Sequence, residues 1–181
     1  MKARVALVWG LLSLLVFGPV LMNHAAAQTG GDFYLEVTIV TGEHSRDSNS
    51  TTRTLTASPG KLIYKETYAG AHSGQRPPVE KQFKLTKQDQ SDLTALLESK
   101  SLLATKTISQ PPTQKGFSRY FELALVSGLH GKENTIAIDA SPSAAALKTD
   151  PLYQGSISLI EMLYKIVNRT DPDLTAPTLI D

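Results

Sequence analysis

The first half of the chain alternates apolar and polar positions in short stretches. Within residues 33–41 every second side chain is large and apolar, namely Phe33, Leu35, Val37 and Ile39. A period of two is typical of a strand with one buried face. Similar patterns, separated by clusters of Gly, Pro, Asn and Ser, predict further strands at 51–57, 61–69 and 79–85.

A helix is predicted over residues 87–100. Thr86 and Asp89 have the spacing of a capping box, in which a hydroxyl and a carboxylate satisfy the first free N–H groups of a helix. Leucines then recur at helical spacing, and we expect one of them, Leu96, to be buried.

A second helix is predicted over residues 151–168. Asp150 is a good N-cap, and Pro151 suits the first helical position because that position needs no N–H donor. Apolar residues then recur every three or four positions, and we expect Ile160 to be buried.

The remaining segments complete an α+β pattern. Residues 120–127 and 135–140 predict a hairpin, whereas residues 108–116 predict a loop because Pro111 and Pro112 exclude helix there. The predicted order is β-β-β-β-α-β-β-α. Strands segregated from helices predict a two-layer sandwich, in which both helices cover one face of an antiparallel sheet.

Residues 1–27 have the three parts of a secretory signal peptide. A positively charged start precedes an uncharged apolar stretch over residues 5–22, and the small residues Ala25 and Ala27 stand before Gln28. We therefore expect cleavage before Gln28 and export to the periplasm or the extracellular space.

The alternative is an uncleaved membrane anchor, because an apolar stretch of about 18 residues can just cross a bilayer. Glycine and proline interrupt the stretch, and no basic cluster follows it, which favours cleavage and a mature chain without a membrane span. We assign residues 28–169 to a single α+β domain. Residues 170–181, with two prolines and few large side chains, are expected to be a flexible C-terminal tail.

The charge balance disfavours nucleic-acid binding. Removing Lys2 and Arg4 from the 18 basic residues leaves 16, against 17 acidic ones, and the basic residues are scattered through the chain. A nucleic-acid-binding surface needs a concentrated basic patch.

The sequence contains none of the common signatures of catalysis or cofactor binding. It has no cysteine, no G-x-S-x-G nucleophile turn, no glycine-rich phosphate loop and no H-E-x-x-H pair. The histidines after the signal, His44, His72 and His130, stand alone in separate predicted loops, so no set of metal ligands converges. We predict no catalytic, cofactor-binding or metal-binding residue.

Four predicted loops are long for a small domain: residues 42–50, 70–78, 108–118 and 128–134. Loops of this length either carry function or are tolerated insertions. Hydrogen-bond donors and stiff apolar groups in them suggest protein recognition, and the candidate partner-binding residues are Arg46, His72, Arg76 and Phe117.

The stretch from Phe83 to Val167 resembles a known family in its layout. The runs FKLTKQDQSDLTALL, PPTQKGFSRYFELALV, ENTIAIDASP and SLIEMLYKIV are similar in order to the elements of emfourin-type inhibitors of thermolysin-like metallopeptidases. The resemblance implies a peptidase as partner. The family's Gly-Gly-Phe stretch is replaced by Thr41-Gly42-Glu43, and no inhibitory residue is carried over to a numbered position.

These observations together predict an exported, non-enzymatic protein-binding domain, with a peptidase inhibitor as its specific form. Two alternatives remain open. The domain could be an adaptor of the cell envelope, or it could be an enzyme whose site is assembled from distant loops, for example a hydrolase centred on His72.

Overall fold

The structure, a computed structural model, describes residues 33–44, 48–71, 73–100, 102–110 and 118–180. The predicted signal segment 1–27 lies outside these ranges. The described residues form seven strands and two α-helices: β1 (Phe33–His44), β2 (Ser50–Ser58), β3 (Lys61–Ala69), β4 (Val79–Lys84), α1 (Lys87–Ser99), β5 (Lys106–Gln110), β6 (Ser118–Leu129), β7 (Lys132–Ala140) and α2 (Pro151–Val167). Short 3-10 helices lie at Ser73–Gln75 and Ala145–Thr149. All described residues belong to one compact unit.

The strands form one sheet in the order β4-β3-β2-β1-β6-β7-β5. Every neighbouring pair is antiparallel except β5 and β7, which run parallel. The α+β class is confirmed. The purely antiparallel sheet and the order β-β-β-β-α-β-β-α are wrong, because β5 adds a strand that makes the sheet mixed.

Strand β5 occupies part of the segment that we predicted to be a loop. It contains a single large apolar residue, Ile108, which is partly buried and pairs with Ile138 on β7. One apolar residue gives no period of two, and Pro111 and Pro112 directly after the strand pointed to a loop. The strand therefore depends on pairing with β7, which local sequence does not reveal.

The core lies between one face of the sheet and the two helices. On β1 the alternation predicted from sequence is confirmed, since Phe33, Leu35, Val37 and Ile39 are buried. Leu93 and Leu97 of α1 join the same core, as does Ile160 of α2, whose predicted burial is confirmed. Leu96 is only partly buried, because it lies at the edge of the face that Leu93 and Leu97 direct toward the sheet.

The helix starts confirm the capping signals. Thr86 and Asp89 form a reciprocal capping box at the start of α1, and Asp150 accepts hydrogen bonds from the backbone N–H groups of Leu152 and Tyr153 at the start of α2. No helix within the described ranges has both the length and the apolar character needed to cross a membrane.

The C-terminal segment after α2 has no regular secondary structure, but its end packs against the core. Lys81 of β4 forms an ion pair with Asp171, and Leu179 and Ile180 are buried. We expected a flexible tail over residues 170–181. Burial of the two apolar side chains near its end accounts for the difference, since it holds the segment to the rest of the domain.

Candidate functional site

The helix-facing side of the sheet changes from apolar to polar at one end. On β1 the buried Ile39 is followed on the same face by Thr41, and on β2 the buried Leu55 is preceded on that face by Arg53. On β3 the buried Tyr64 is followed by Glu66. Cross-strand pairing places Arg53 opposite Glu66, and Thr41 lies one same-face position further along β1, so polar side chains from three neighbouring strands meet where a continuation of the core would be expected.

A cleft of about 610 Å³, here called the end cleft, lies at this end of the sheet. Its floor is a row of residues that pair across four adjacent strands, in the order Tyr68, Thr51, Thr41 and Phe121. The two central threonines are small and the two outer residues are large aromatics. The C-terminal segment closes one side with Leu179.

A hydrogen-bonded network stands beside the floor. The Nε of Arg53 donates to Oε2 of Glu66 at 3.2 Å, and the Tyr64 and Tyr68 hydroxyls both donate to the same carboxylate. Nη1 of Arg53 also lies 3.5 Å from the Thr41 hydroxyl. Burial alone would raise the pKa of Glu66, but the two tyrosine hydroxyls and the Arg53 charge outweigh it and lower that pKa.

Arg76 extends this network into the cleft. Its guanidinium carbon lies 5.5 Å from the centroid of the Tyr68 ring, which is the geometry of a cation–π contact. Arg76 is exposed, whereas Tyr68 is half-buried and its hydroxyl is held by Glu66. We call Arg53, Glu66, Tyr68 and Arg76 the arginine–tyrosine network.

Further charges lie at the opposite side of the floor. Arg119 on β6 pairs in register with Glu43 on β1, two positions beyond the pair of Thr41 and Phe121 and on the same face. Both residues line the end cleft, and Arg119 is exposed. The cleft is therefore bounded by an arginine on each side.

Of the four candidate partner-binding residues, the structure describes Arg76, and it lines the end cleft. Arg46, His72 and Phe117 lie outside the described residues. Their described neighbours in the chain do line the cleft, since Glu43 precedes Arg46 and Arg119 follows Phe117. Three of the four predicted loops thus have a described end at this cleft.

The fourth predicted loop, residues 128–134, is a tight turn at the other end of the sheet. Strand β6 ends at Leu129 and β7 begins at Lys132, so only His130 and Gly131 connect them. Both have positive φ, which suits a two-residue hairpin turn. His130 is exposed, and its Nε2 lies 3.8 Å from a carboxylate oxygen of Glu98.

Among the residues that the structure describes, no group of three or more His, Asp or Glu side chains is placed to hold a metal ion. His72 and the side chain of His44 are not among them. The prediction that the protein lacks a metal site stays a prediction.

Sequence reasoning missed Arg53, Glu66 and the two floor threonines. A signal was present: all four occupy positions that strand alternation assigns to the buried face, yet none is apolar. Polar residues at such positions mark either a paired buried network or an uncovered part of the sheet. Only strand pairing shows that they lie together.

Comparison with known proteins places the chain in no family: no family model matches it, and no curated protein matches it.

Proposed function

We propose that this protein is an exported, non-enzymatic binding domain that holds a segment of a partner protein in the end cleft. One observation carries the proposal. Three connections of the sheet begin or end at the same cleft, whose side bears the cation–π pair of Tyr68 and Arg76. Loops held on a rigid sheet are a common way to build a recognition surface.

The state of Glu66 favours binding over catalysis. A general base works best when its pKa lies near the working pH, but the pKa of Glu66 is lowered and its oxygens accept hydrogen bonds from three side chains. Glu66 therefore acts as a structural acceptor that orients its donors.

Affinity capture with matched variants tests the proposal. Thr51→Tyr places a bulky side chain on the cleft floor, whereas Thr56→Tyr makes the same change on the same strand but on the opposite face of the sheet. We expect the wild-type protein and Thr56→Tyr to retain a partner from the exported fraction of the cell and Thr51→Tyr to lose it. Equal recovery by both variants would remove the cleft from the proposal.

The specific form of the proposal is a peptidase inhibitor, and its support is the layout similarity described from Phe83 to Val167. An inhibitor should form a stoichiometric complex with a co-exported peptidase and block hydrolysis of that peptidase's substrate. An envelope adaptor should bind its partner without changing the activity of any peptidase. If no partner is recovered and the protein instead turns over a substrate in a manner abolished by His72→Ala, the enzyme alternative replaces the proposal.

A further inference from the structure

The geometry points to the chemistry of the partner: we propose that the end cleft recognises an acidic side chain, Asp or Glu, on an extended segment of the partner, and that Arg76 binds its carboxylate. This inference rests on the proposed function, because it names the group that the cleft would hold.

Arg76 combines a contact with an aromatic ring and access to solvent, which are two features of arginines that bind carboxylates. A guanidinium that stacks on an aromatic ring keeps its in-plane N–H donors free at the edge, where they match the two oxygens of a carboxylate. Arg76 lies over Tyr68 at 5.5 Å and is exposed on its outer side. A lysine would provide charge at this position but no planar fork.

The platform beneath Arg76 is fixed before any ligand arrives. The Tyr68 hydroxyl donates to Glu66, and Glu66 is paired with Arg53, whose side chain is only 21% exposed. Arg53 thus restricts the conformations of the Glu66 side chain, and Glu66 restricts those of the Tyr68 side chain. Binding to such a group costs less conformational entropy than binding to a free arginine on the surface.

The charge balance around the cleft suits one carboxylate. Among the residues that the structure describes at the cleft and in the adjoining network, three cationic side chains stand against two anionic ones, which leaves a single positive charge in excess: Arg53, Arg76 and Arg119 against Glu43 and Glu66. A group with two negative charges would meet the two glutamates at a cost, because like charges repel strongly where solvent is partly excluded.

The dimensions favour a peptide over a small free acid. Phe121 is fully buried, so the accessible floor runs from Tyr68 to Thr41, two strand spacings or about 10 Å, which is the length of roughly three extended residues. A small carboxylic acid bound to Arg76 would leave the threonine floor and the Arg119 side unused. The remaining length can accept the backbone and neighbouring side chains of an extended segment.

Peptide titration followed by NMR tests the inference on the purified protein. The probes are capped octapeptides that carry one Glu residue, each compared with the same peptide in which Gln replaces Glu. We expect the acidic peptides to shift the amide signals of Thr41, Thr51 and Tyr68, and the Gln peptides to bind at least about tenfold more weakly. Acetate, which carries a single carboxylate as each peptide does, provides the small-acid comparison and should bind more weakly than the acidic peptides.

Variants separate the role of Arg76 from general charge. Arg76→Ala should weaken binding by at least about tenfold, and Arg76→Lys should recover only part of the loss. Lys132→Ala removes a positive charge at the opposite end of the sheet and should leave affinity unchanged. Tyr68→Phe keeps the ring but removes the hydroxyl that Glu66 holds, so we expect a smaller loss than with Arg76→Ala.

The outcomes distinguish this inference from the proposed function. Equal binding of Glu and Gln peptides, or equal losses for Arg76→Ala and Lys132→Ala, would overturn the acidic-segment inference. Capture of a partner that is lost with Thr51→Tyr would in that case still support the proposed function. Acetate binding as tight as that of the acidic peptides would overturn the choice of a peptide and leave a small-acid site.

Discussion

Asp89 shows how one charged residue can be placed in the interior of this fold. Its side chain is only 4% exposed and accepts hydrogen bonds from both terminal nitrogens of Arg169. It also accepts from the backbone N–H of Thr86 at 2.9 Å and from the hydroxyl of Thr86 at 2.7 Å. The residue thereby joins the start of α1 to the segment after α2, 80 positions later in the chain.

These bonds make the contribution of Asp89 to stability dependent on pH. The hydrogen bonds from Arg169, followed by those from Thr86, lower the pKa of Asp89 against the effect of burial. A carboxyl whose folded pKa lies below its unfolded value near 3.8 stabilises the fold fully above that value. The contribution is lost as the pH falls from there toward the folded pKa.

We therefore expect Asp89→Asn to lower the free energy of unfolding by about 1–3 kcal/mol at pH 7. The difference from the wild type should narrow when the pH falls below about 4, because the unfolded wild-type chain then binds a proton at Asp89 that the folded protein does not, which favours unfolding. Urea denaturation at pH 7 and pH 3 measures both values. The exposed Asp92→Asn on the same helix is the control, and a gap independent of pH would contradict the role given to the Asp89 charge.

At the scale of elements, the two helices differ in how completely they are buried. Helix α2 carries ten buried residues, whereas α1 carries three, one of which is Asp89. Ile160 of α2 is 2% exposed, but Leu96 of α1 is only partly buried. Most of the helix-derived stability should therefore come from α2.

Matched truncations test this difference. We expect Ile160→Ala to cost about 2–5 kcal/mol, because it removes buried methyl groups and leaves a cavity. Leu96→Ala should cost less, since part of the side chain already contacts water. Chemical denaturation of both variants gives the comparison, and a loss at Leu96 as large as that at Ile160 would show that α1 packs more tightly than the structure describes.

Local signals in the sequence predicted the elements whose formation depends on local chemistry. The capping pair Thr86 and Asp89, and the sequence Asp150-Pro151, marked helix starts that the structure confirms. Strand β5 was missed because Ile108 is its only large apolar residue, and its pairing partner lies about 30 positions away on β7. Pairing with a distant strand does not require alternating apolar residues in a strand of only five residues, so the sequence pattern did not reveal it.

The candidate site was predictable only in part for the same reason. Arg76 could be named because it lies in a loop rich in turn formers. Arg53 and Glu66 are recognised as part of the site only because β2 pairs with β3 and places them side by side. Tyr68 is recognised as part of it only through its contacts with Glu66 and Arg76. A polar residue at a core-facing position was the available signal, but one strand alone does not show that its neighbours are polar at the same level.

At the scale of the whole molecule, the helix-facing side of the sheet differs between the two ends of its strands. Toward the β6–β7 turn its helix-facing side is apolar and packs in the core, and toward the other end it is polar and forms the end cleft. The C-terminal segment connects the two regions, because Leu179 is part of the core and also lines the cleft. Binding at the cleft and packing of this segment should therefore influence each other.

Export of this chain, if it occurs as the N-terminal sequence predicts, requires that the domain fold without the signal segment. Strand β1, which pairs on both sides with β2 and β6, begins at Phe33, five positions after Gln28. Cleavage before Gln28 would thus leave every described strand intact, and we expect the processed protein to fold and to begin at Gln28. N-terminal sequencing of the protein recovered outside the cytoplasm identifies its first residue. The variant Ala27→Arg should block processing, because signal cleavage needs a small residue at that position. Recovery of the wild-type chain in the membrane fraction with Met1 still present would favour the uncleaved anchor instead.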